Sequence, residues 1–429
     1  LLRGAYMASF RTDLQDVYFN LFNVLKVEEF SEFEVNDLKD IVEQFNKFVA
    51  NEVFPHRTES DEEGVKMENG KVIAPKSFHD TNKLFYENGW YGLGKAEEIG
   101  GIPVPQALEI ACQSIVNGAN VAYSMYPFLS RAAMNVIEAV GSEEQQAVYI
   151  APMMEGRWGG TMCLTEANAG SDVGSLRTSA KPVDGRDGWY KISGVKTFIS
   201  SGESDLYENN IHLVLARTPN APAGTKGLSL FIVPRFRVND DGTSGDSNDV
   251  ICTKIEDKMG IHAQATCELT FGDNDNCEGW IIGQEGEGIK HMFLMMNEAR
   301  LYCGLQGESQ ANLAYLLTEE YAGERSQFGT EIKNHPDVKR MLLKMRSMCR
   351  GLRGLVLYSA DLLSKEHDDA EVATEIAILT PICKAFASDE GFNLSVDAIQ
   401  VHGGFGYCSE YGIEQFARDT KIATIYEGT

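Results

Sequence analysis

The spacing of apolar residues changes twice along this chain, and these two changes constrain its fold more than any other feature. The spacing is helical from about residue 34 to 155, approaches two from 156 to 283, and is helical again from 286 onwards. Helices and strands that are separated in this way favour a multidomain α+β protein over a sheet wound with alternating helices. The three predicted domains are residues 1–157, 158–285 and 286–429.

Local signals predict the elements within each domain. Alternating runs bounded by turn residues predict strands in the middle domain, at residues 189–194, 196–200, 211–217, 228–234 and 267–271. Helical spacing predicts helices at residues 108–117, 128–140, 289–322, 336–365 and 371–401. Ser142 and Gln145 have the spacing of a capping box. Long helices joined by short loops suggest an antiparallel bundle at the end of the chain.

The chain is strongly acidic, with a net charge of -25 over 429 residues. This charge disfavours nucleic acid and anionic membranes as partners, and an anionic substrate would need a local basic patch. No apolar run is long enough to cross a bilayer. The nine cysteines form no C-x-x-C pair, and H-E-x-x-H, Rossmann and P-loop fingerprints are missing, so we expect neither a disulfide framework nor a metal site. A reducing compartment is predicted, the bacterial cytoplasm or alternatively the mitochondrial matrix.

Two stretches of the middle domain combine small residues with hydroxyl groups. The first contains Thr165, Gly170 and Ser171. Such loops allow backbone N–H groups to approach phosphates, although composition alone favours an ordinary turn. The second stretch contains Phe198 and Ser200. Strand alternation alone places Phe198 in a core rather than against a cofactor.

Together with later motifs, these stretches resemble the acyl-CoA dehydrogenase family over about residues 37–429. The strings are Leu-Thr-Glu-x-x-Ala-Gly-Ser-Asp-Val from 164, Lys-Thr-Phe-Ile-Ser from 196, Arg-Ser-Gln-Phe-Gly from 325, Gln-Val-His-Gly-Gly from 400 and Tyr-Glu-Gly from 426. The insert near 59–75 and Asn-His-Pro from 334 resemble the long-form branch, which includes methylmercaptopropionyl-CoA dehydrogenase and broad-range fatty acyl-CoA dehydrogenases. The resemblance implies a helical N-terminal domain, a central antiparallel β-barrel, a C-terminal helical bundle and a further segment after residue 429.

The resemblance also implies FAD as the cofactor. In the middle domain the residues implied to bind it are Met162, Leu164, Thr165, Gly170, Ser171, Phe198 and Ser200. Phe198 would shield one face of the flavin. A second set is implied to reach the FAD of a neighbouring subunit: Arg325, Gln327, Phe328, Gln400, Gly403 and Gly404. A homodimer or homotetramer with a shared site is therefore expected.

The resemblance places an acyl-CoA thioester beside Glu427, which would abstract its α-proton. The residues implied to contact the substrate are Ser171, Asn297, Arg300, Tyr426 and Gly428. A minority of the family carries the base immediately before the arginine that matches Arg300. Ala299 occupies that position here, and Glu298 would point about 100° away on a helix of 3.6 residues per turn. Glu427 is therefore the expected base.

The expected reaction is FAD-dependent dehydrogenation of an acyl-CoA to a trans-2-enoyl-CoA, with an electron-transfer flavoprotein as electron acceptor. An acyl-CoA oxidase on the same scaffold is the first alternative, and it would produce peroxide under air. A non-catalytic acyl-CoA-binding scaffold protein is the second alternative. It would need neither a base nor a flavin, whereas this chain has Glu427 and several flavin-type strings.

Overall fold

The computed structural model describes residues 9–68, 70–366 and 369–428, so the outer ends of the first and last predicted domains lie outside the described residues. The first part of the chain is helical. Its helices are α1 (Leu14–Tyr18), α2 (Val35–Phe48), α3 (Arg57–Glu63), α4 (Lys76–Glu87), α5 (Gln106–Val140) and α6 (Glu143–Met154). A small hairpin of β1 (Lys66–Glu68) and β2 (Lys71–Ile73) follows α3. The predicted capping box at the start of α6 is confirmed, because Ser142 and Gln145 cap each other.

Helix α5 lies at the centre of this part, and it replaces the two separate helices predicted there. The run is interrupted at Asn120, whose φ of -157° and ψ of 91° are not helical. The Asn120 side chain accepts a hydrogen bond from the backbone N–H of Tyr123 at 3.2 Å, which caps the second half of the helix. The polar side chain of one residue therefore joins two helices into one bent element.

The middle part carries the strands of the main sheet. Its strands are β3 (Trp158–Cys163), β4 (Ser179–Pro182), β5 (Trp189–Ser200), β6 (Asn209–Arg217), β7 (Leu228–Pro234), β8 (Phe236–Val238), β9 (Ser244–Ser247), β10 (Val250–Ile255), β11 (Thr266–Phe271) and β12 (Glu278–Ile282). Eight of them form one sheet in the order β10-β11-β5-β12-β7-β6-β3, with β4 beside β5 and β6. The pair β8–β9 forms a separate hairpin, in which Phe236 lies opposite Ser247.

The expectation of a closed antiparallel barrel is wrong for this sheet. Strand β3 runs parallel to β6, with Trp158 opposite Asn209, and β4 meets β6 in parallel at Ser179 and Arg217. Within the described part of the chain, the end strands β10 and β3 are not paired with each other. The sheet is therefore mixed, and its two outer strands leave it open.

The last part of the chain is a helical bundle. It contains α7 (Gly288–Glu324), α8 (Pro336–Leu363), α9 (Ala370–His402), α10 (Gly404–Tyr407) and α11 (Glu414–Lys421), with a hairpin of β13 (Ser326–Gln327) and β14 (Thr330–Glu331) after α7. Helix α8 runs antiparallel to α7 and α9. The latter two are parallel neighbours that touch near Gly304 and Cys383, and again where the rings of Tyr321 and His402 stack at 4.1 Å.

Within the described ranges, none of the helices combines the length and the apolar character that crossing a bilayer requires.

Candidate active site

The segment that carries Glu427 is anchored to two other parts of the chain through α11. The Asp419 carboxylate accepts a hydrogen bond from the Ile261 N–H at 2.6 Å, in the loop between β10 and β11. The guanidinium group of Arg57, on α3, lies 3.7 Å from the centre of the Phe416 ring. Asp61, also on α3, accepts from Arg418 at 2.8 Å. Elements from the beginning and the middle of the sequence thus fix the start of this final segment.

Glu427 has an unusual backbone conformation and a perturbed carboxylate. Its φ of 60° is left-handed, which is uncommon for a residue with a side chain, and such conformations concentrate at functional sites. The Glu427 carbonyl accepts a hydrogen bond from Arg300 Nε at 3.2 Å. Burial raises the pKa of Glu427, while Arg300 and Lys384 act in the opposite direction. A carboxylate whose pKa is raised by burial is a stronger base than an exposed one.

Tyr426 links the same segment to α7. Its hydroxyl donates to the side-chain oxygen of Gln306, and burial raises the pKa of Tyr426 well above its ordinary value. Gly428 follows Glu427 with a φ of 93°. Asn297 lies half-buried on α7, one helical turn before Arg300. Arg300 is a neighbour of the final segment in the structure, because a Cβ added at Gly428 would also lie 3.8 Å from its Nη2.

Glu298, the alternative base that the sequence offers, faces a different helix. Both of its carboxylate oxygens accept from Asn135 Nδ2, at 3.0 and 2.9 Å, and Asn135 belongs to α5. Glu298 is also among the charges that act on buried Tyr91 and Glu109 in the N-terminal part. This carboxylate joins two helices and is not directed towards Glu427.

Thr165, Phe198 and Ser200 form a ledge at the ends of β3 and β5. The Thr165 carbonyl accepts from the Thr197 N–H at 2.9 Å, and the Thr161 hydroxyl donates to the Ser200 carbonyl at 2.7 Å. Phe198 has a φ of 58° and its side chain is 64% exposed, so it is not a core residue. The alternation rule fails here because a left-handed residue departs from the pleat of the strand.

A buried ion pair joins the two segments that form the ledge. Lys196, on β5, is fully buried, and its Nζ donates to the Leu164 carbonyl and to the Glu166 carboxylate, both at 2.9 Å. Glu166 also accepts from the N–H groups of Arg177 and Thr178 and from the Thr178 hydroxyl. The sequence analysis did not identify this pair, although a lysine inside an apolar strand next to Thr-Phe-Ile-Ser is a recognisable signal.

The other predicted residues of the middle domain surround this ledge. Met162 is half-buried on β3, and Leu164 is buried just beyond the end of that strand. Gly170 and Ser171 are exposed in the following loop, and a Cβ added at Gly170 would meet no atom within 4 Å. The loop is therefore open to a ligand along its small residues.

The second predicted set of cofactor residues lies at the far end of the bundle. Arg325 ends α7 with its guanidinium carbon 5.4 Å from the Phe405 ring centre. Phe328, at the tip of the β13–β14 hairpin, is 97% exposed with a φ of 55°. The hairpin, the last turn of α9 and the residues after it contribute exposed residues to the same end: Gln327, Gln400, Gly403 and Gly404. At about 1.5 Å per residue, Arg300 and Arg325 lie roughly 37 Å apart along α7.

The chemistry of these groups fits a flavin dinucleotide. An exposed aromatic ring at Phe198 offers a surface for a planar ring system, and the neighbouring segments carry the half-buried hydroxyl residues Thr165 and Ser200. Additional Cβ atoms at Gly403 and Gly404 would meet nothing within 4 Å, which leaves backbone accessible next to a cation. No group of three or more His, Cys, Asp or Glu side chains that could hold a metal ion occurs in the described part of the chain.

A cleft of about 850 Å³ lies elsewhere, between α6 and the main sheet. Its walls include Pro152 of α6 and the rings of Trp189 and Trp280, which stack at 5.2 Å. None of the predicted site residues lines it. This cleft is therefore separate from the candidate active site.

Comparison with known proteins identifies the family. Residues 36–157, 161–274 and 286–429 match the sequence profiles of the acyl-CoA dehydrogenase N-terminal, middle and C-terminal domains. The chain belongs to the acyl-CoA dehydrogenase family. It is an oxidoreductase, and FAD is its cofactor.

Several relatives and solved structures cover most of the chain. The 3-methylmercaptopropionyl-CoA dehydrogenase of Ruegeria pomeroyi is 38% identical over 417 residues, which are 94% of this chain and 70% of that protein. The broad-specificity linear acyl-CoA dehydrogenase of Mycobacterium tuberculosis is 36% identical, over 99% of this chain and 74% of that protein. The structure of butyryl-CoA dehydrogenase from Megasphaera elsdenii superposes with a TM-score of 0.78 at 26% identity, covering 93% of this chain and 96% of that one.

Proposed function

We propose that this protein dehydrogenates an acyl-CoA thioester to a trans-2-enoyl-CoA, with Glu427 as the base that takes the α-proton. The observation that carries the proposal is the state of Glu427. It has a left-handed backbone, a carbonyl bonded to Arg300 and a pKa raised by burial. The α-proton of a thioester is weakly acidic, so the base must be held at the α-carbon with a pKa in the working range.

The chain supplies the proton transfer and the electrostatic support for this reaction. Bound FAD would accept a hydride from the β-carbon. Within the described residues the Glu427 N–H makes no hydrogen bond, so it is available to donate to the thioester oxygen as negative charge develops there. Asn297 and Arg300 on α7, with Tyr426, Gly428 and Ser171, would contact the CoA ester. Glu298 is assigned a structural role, because its carboxylate is held by Asn135 on α5.

We further propose that two subunits share each FAD site. Thr165, Phe198 and Ser200 would bind the flavin of their own subunit, while Arg325 and Gln400 would reach the FAD of a neighbour. The separation of roughly 37 Å along α7 supports this division, because one end of the helix cannot serve the chemistry at the other.

The outer face of α9 supports an assembled state. Ile378, Ile382 and Phe386 recur every four residues along α9, and all three are exposed in the single chain. An apolar stripe of this kind is typical of an interface. It supports a homodimer or homotetramer, built from the three domains 1–157, 158–285 and 286–429.

An electron-transfer flavoprotein is the proposed electron acceptor. A solved structure titled for the electron transferring flavoprotein of Acidaminococcus fermentans superposes on this chain with a TM-score of 0.78 at 27% identity. An acyl-CoA oxidase remains the alternative within the same scaffold. Peroxide formation under air, in the absence of an electron-transfer flavoprotein, would favour the oxidase.

A bacterial cytoplasmic location is part of the proposal, with the mitochondrial matrix as the alternative, and cell fractionation tests it.

A substrate screen on the purified protein tests the reaction. The protein should show an oxidised flavin spectrum that bleaches anaerobically when a suitable acyl-CoA is added. Relatives are named for butyryl-CoA, linear acyl-CoA and 3-methylmercaptopropionyl-CoA, so the screen contains these thioesters and longer linear chains. A protein that cannot be reconstituted with FAD, or that binds these thioesters without bleaching, would instead be a scaffold protein.

A further inference from the structure

Helix α9 carries a buried lysine that the proposed reaction does not yet use. Lys384 is only 4% exposed, between apolar neighbours Cys383 and Ala385 in the sequence. Burial of an ammonium group costs free energy unless opposite charges or hydrogen-bond acceptors compensate it. The position of Lys384 therefore requires a partner on the elements packed against α9.

Close packing between α7 and α9 brings Lys384 to the site of Glu427. A Cβ added at Gly304 would lie only 2.9 Å from the Cys383 carbonyl oxygen, so the two backbones almost touch there. Lys384 follows Cys383, and Arg300 lies one helical turn before Gly304 on α7. Arg300 in turn donates to the Glu427 carbonyl at 3.2 Å.

The charges around Lys384 come from all three elements. Burial lowers the pKa of Lys384. Three groups raise it: Cys303 on α7, Asp389 on α9 and Glu427 in the final segment. Arg300 lowers it. From the side of Glu427, burial disfavours its ionised form, and Arg300 and Lys384 are the two cations that favour it. Arg300 Nε is occupied by the Glu427 carbonyl.

We propose that Lys384 is a positioning residue that acts through Glu427. Its ammonium charge favours the ionised form of the Glu427 carboxylate. It compensates part of the cost of burying that carboxylate, and it does not touch the acyl-CoA. This role rests on the proposed function of Glu427 as the base. Removal of the ammonium group should make Glu427 harder to ionise without removing the base itself.

The pH dependence of flavin reduction tests this role. Lys384→Met keeps the length of the side chain and removes its charge. Loss of the cation raises the pKa of Glu427 further, so the acidic limb of the stopped-flow rate should move to higher pH by about one unit. At a given pH on that limb the variant should be about tenfold slower than the wild type. The rate should recover at high pH with KM unchanged. Lys384→Arg should restore the original limb. The matched control is Lys344→Met, because Lys344 is an exposed lysine on α8 that pairs with Asp397 at 2.8 Å. The acidic limb of the rate profile should not move in this variant.

Two results would overturn the proposal. A rate that is lowered equally at every pH, with an unshifted limb, would make Lys384 a purely structural residue. A raised KM at every pH would make it a substrate-binding residue. FAD content is measured for each variant, and if Lys384→Met fails to fold, Lys384→Gln is taken through the same pH series.

A stability measurement separates this proposal from the proposed function. A carboxylate whose pKa is raised by folding stabilises the protein at low pH, and this contribution is lost as the pH rises through the folded-state value. Because Lys384→Met raises the pKa of Glu427 further, its loss of Tm relative to the wild type should be smallest near pH 4 and should grow by about 2 °C as the pH rises. In the Glu427→Gln background this pH-dependent difference should vanish. If it persists there, Lys384 does not act through Glu427. If no thioester bleaches the flavin but the pH-dependent difference in Tm is present and vanishes in the Glu427→Gln background, only the proposed reaction fails.

Discussion

Removal of the Lys196 ammonium group tests whether the buried ion pair holds the ledge in place. Lys196 Nζ donates at 2.9 Å to both the Leu164 carbonyl and the Glu166 carboxylate, which flank Thr165. Lys196→Met fills most of the same volume but cannot make either bond. We expect the segment around Thr165 to loosen, with a loss of both stability and FAD affinity.

The structure limits the size of the effect. Removal of one partner of a buried ion pair costs about 3–5 kcal/mol, because the remaining charge is left uncompensated. Glu166 keeps three donors at 2.7, 3.0 and 2.6 Å, from the Arg177 N–H, the Thr178 N–H and the Thr178 hydroxyl. Since these bonds continue to stabilise the carboxylate, the expected loss is at the lower end, about 3 kcal/mol.

Urea unfolding and FAD titration at pH 7 measure this loss. The matched control is Lys191→Met on the same strand, because Lys191 is a more exposed lysine that pairs with Asp275 at the surface, and it should cost less than about 0.5 kcal/mol. The double variant Lys196→Met with Glu166→Gln should recover about 1 kcal/mol or more, since no unpaired charge remains. If Lys196→Met and Lys191→Met unfold at the same urea concentration and bind FAD equally, the ion pair does not support the ledge.

The same ion pair predicts a pH dependence of stability. Burial alone would raise the pKa of Glu166, but Lys196 and the hydrogen bonds from Thr178 and Arg177 lower it overall. A lowered pKa in the folded state contributes stability above the unfolded-state value of about 4.3, and this contribution is lost as the pH falls. The difference between the wild type and Glu166→Gln should therefore be steady near neutral pH and should shrink as the pH falls below about 4.

Two further predictions concern catalysis and assembly. Glu427→Gln should retain FAD and CoA-ester binding but lower stopped-flow flavin reduction by about 10²–10⁴-fold, because the amide cannot take the α-proton, whereas Glu298→Gln should keep most of the rate. Retained reduction in the first variant together with collapse in the second would contradict the assignment. Arg325→Ala should weaken FAD binding by about 1.5–3 kcal/mol, and the separated monomer should bind FAD poorly. A monomer with full flavin occupancy would exclude the shared site.

Elements governed by local spacing were predicted well from the sequence. The strand Leu228–Pro234 and the helices α7, α8 and α9 occur within a few residues of their predicted bounds. Strand β5 was predicted as two pieces separated near Gly194. In the structure β5 is one continuous strand. Gly194 lets it pass close to Thr178, where a Cβ would collide.

Features that depend on distant contacts were not predictable from local patterns. The parallel pairing of β3 with β6 joins strands that are far apart in the sequence, so local patterns do not reveal it. The family resemblance implies an antiparallel barrel, where the structure has a mixed open sheet. The exposed position of Phe198 depends on its left-handed backbone. The buried lysine Lys384 has its partners on α7 and in the final segment, and only the fold brings them together.

The anchoring of α11 has a consequence for the order of events during synthesis. Arg57 and Asp61 leave the ribosome first, and Ile261 follows. Asp419 emerges 158 residues after Ile261, and Arg418 emerges 357 residues after Asp61. Because these residues together fix the segment that carries Glu427, a nascent chain can fold its first helices and its sheet without possessing a working base. Dehydrogenase activity would thus appear only after α11 has docked against α3 and against the loop that carries Ile261. Its time course during refolding would report the last docking step, whereas circular dichroism would report the earlier formation of helices.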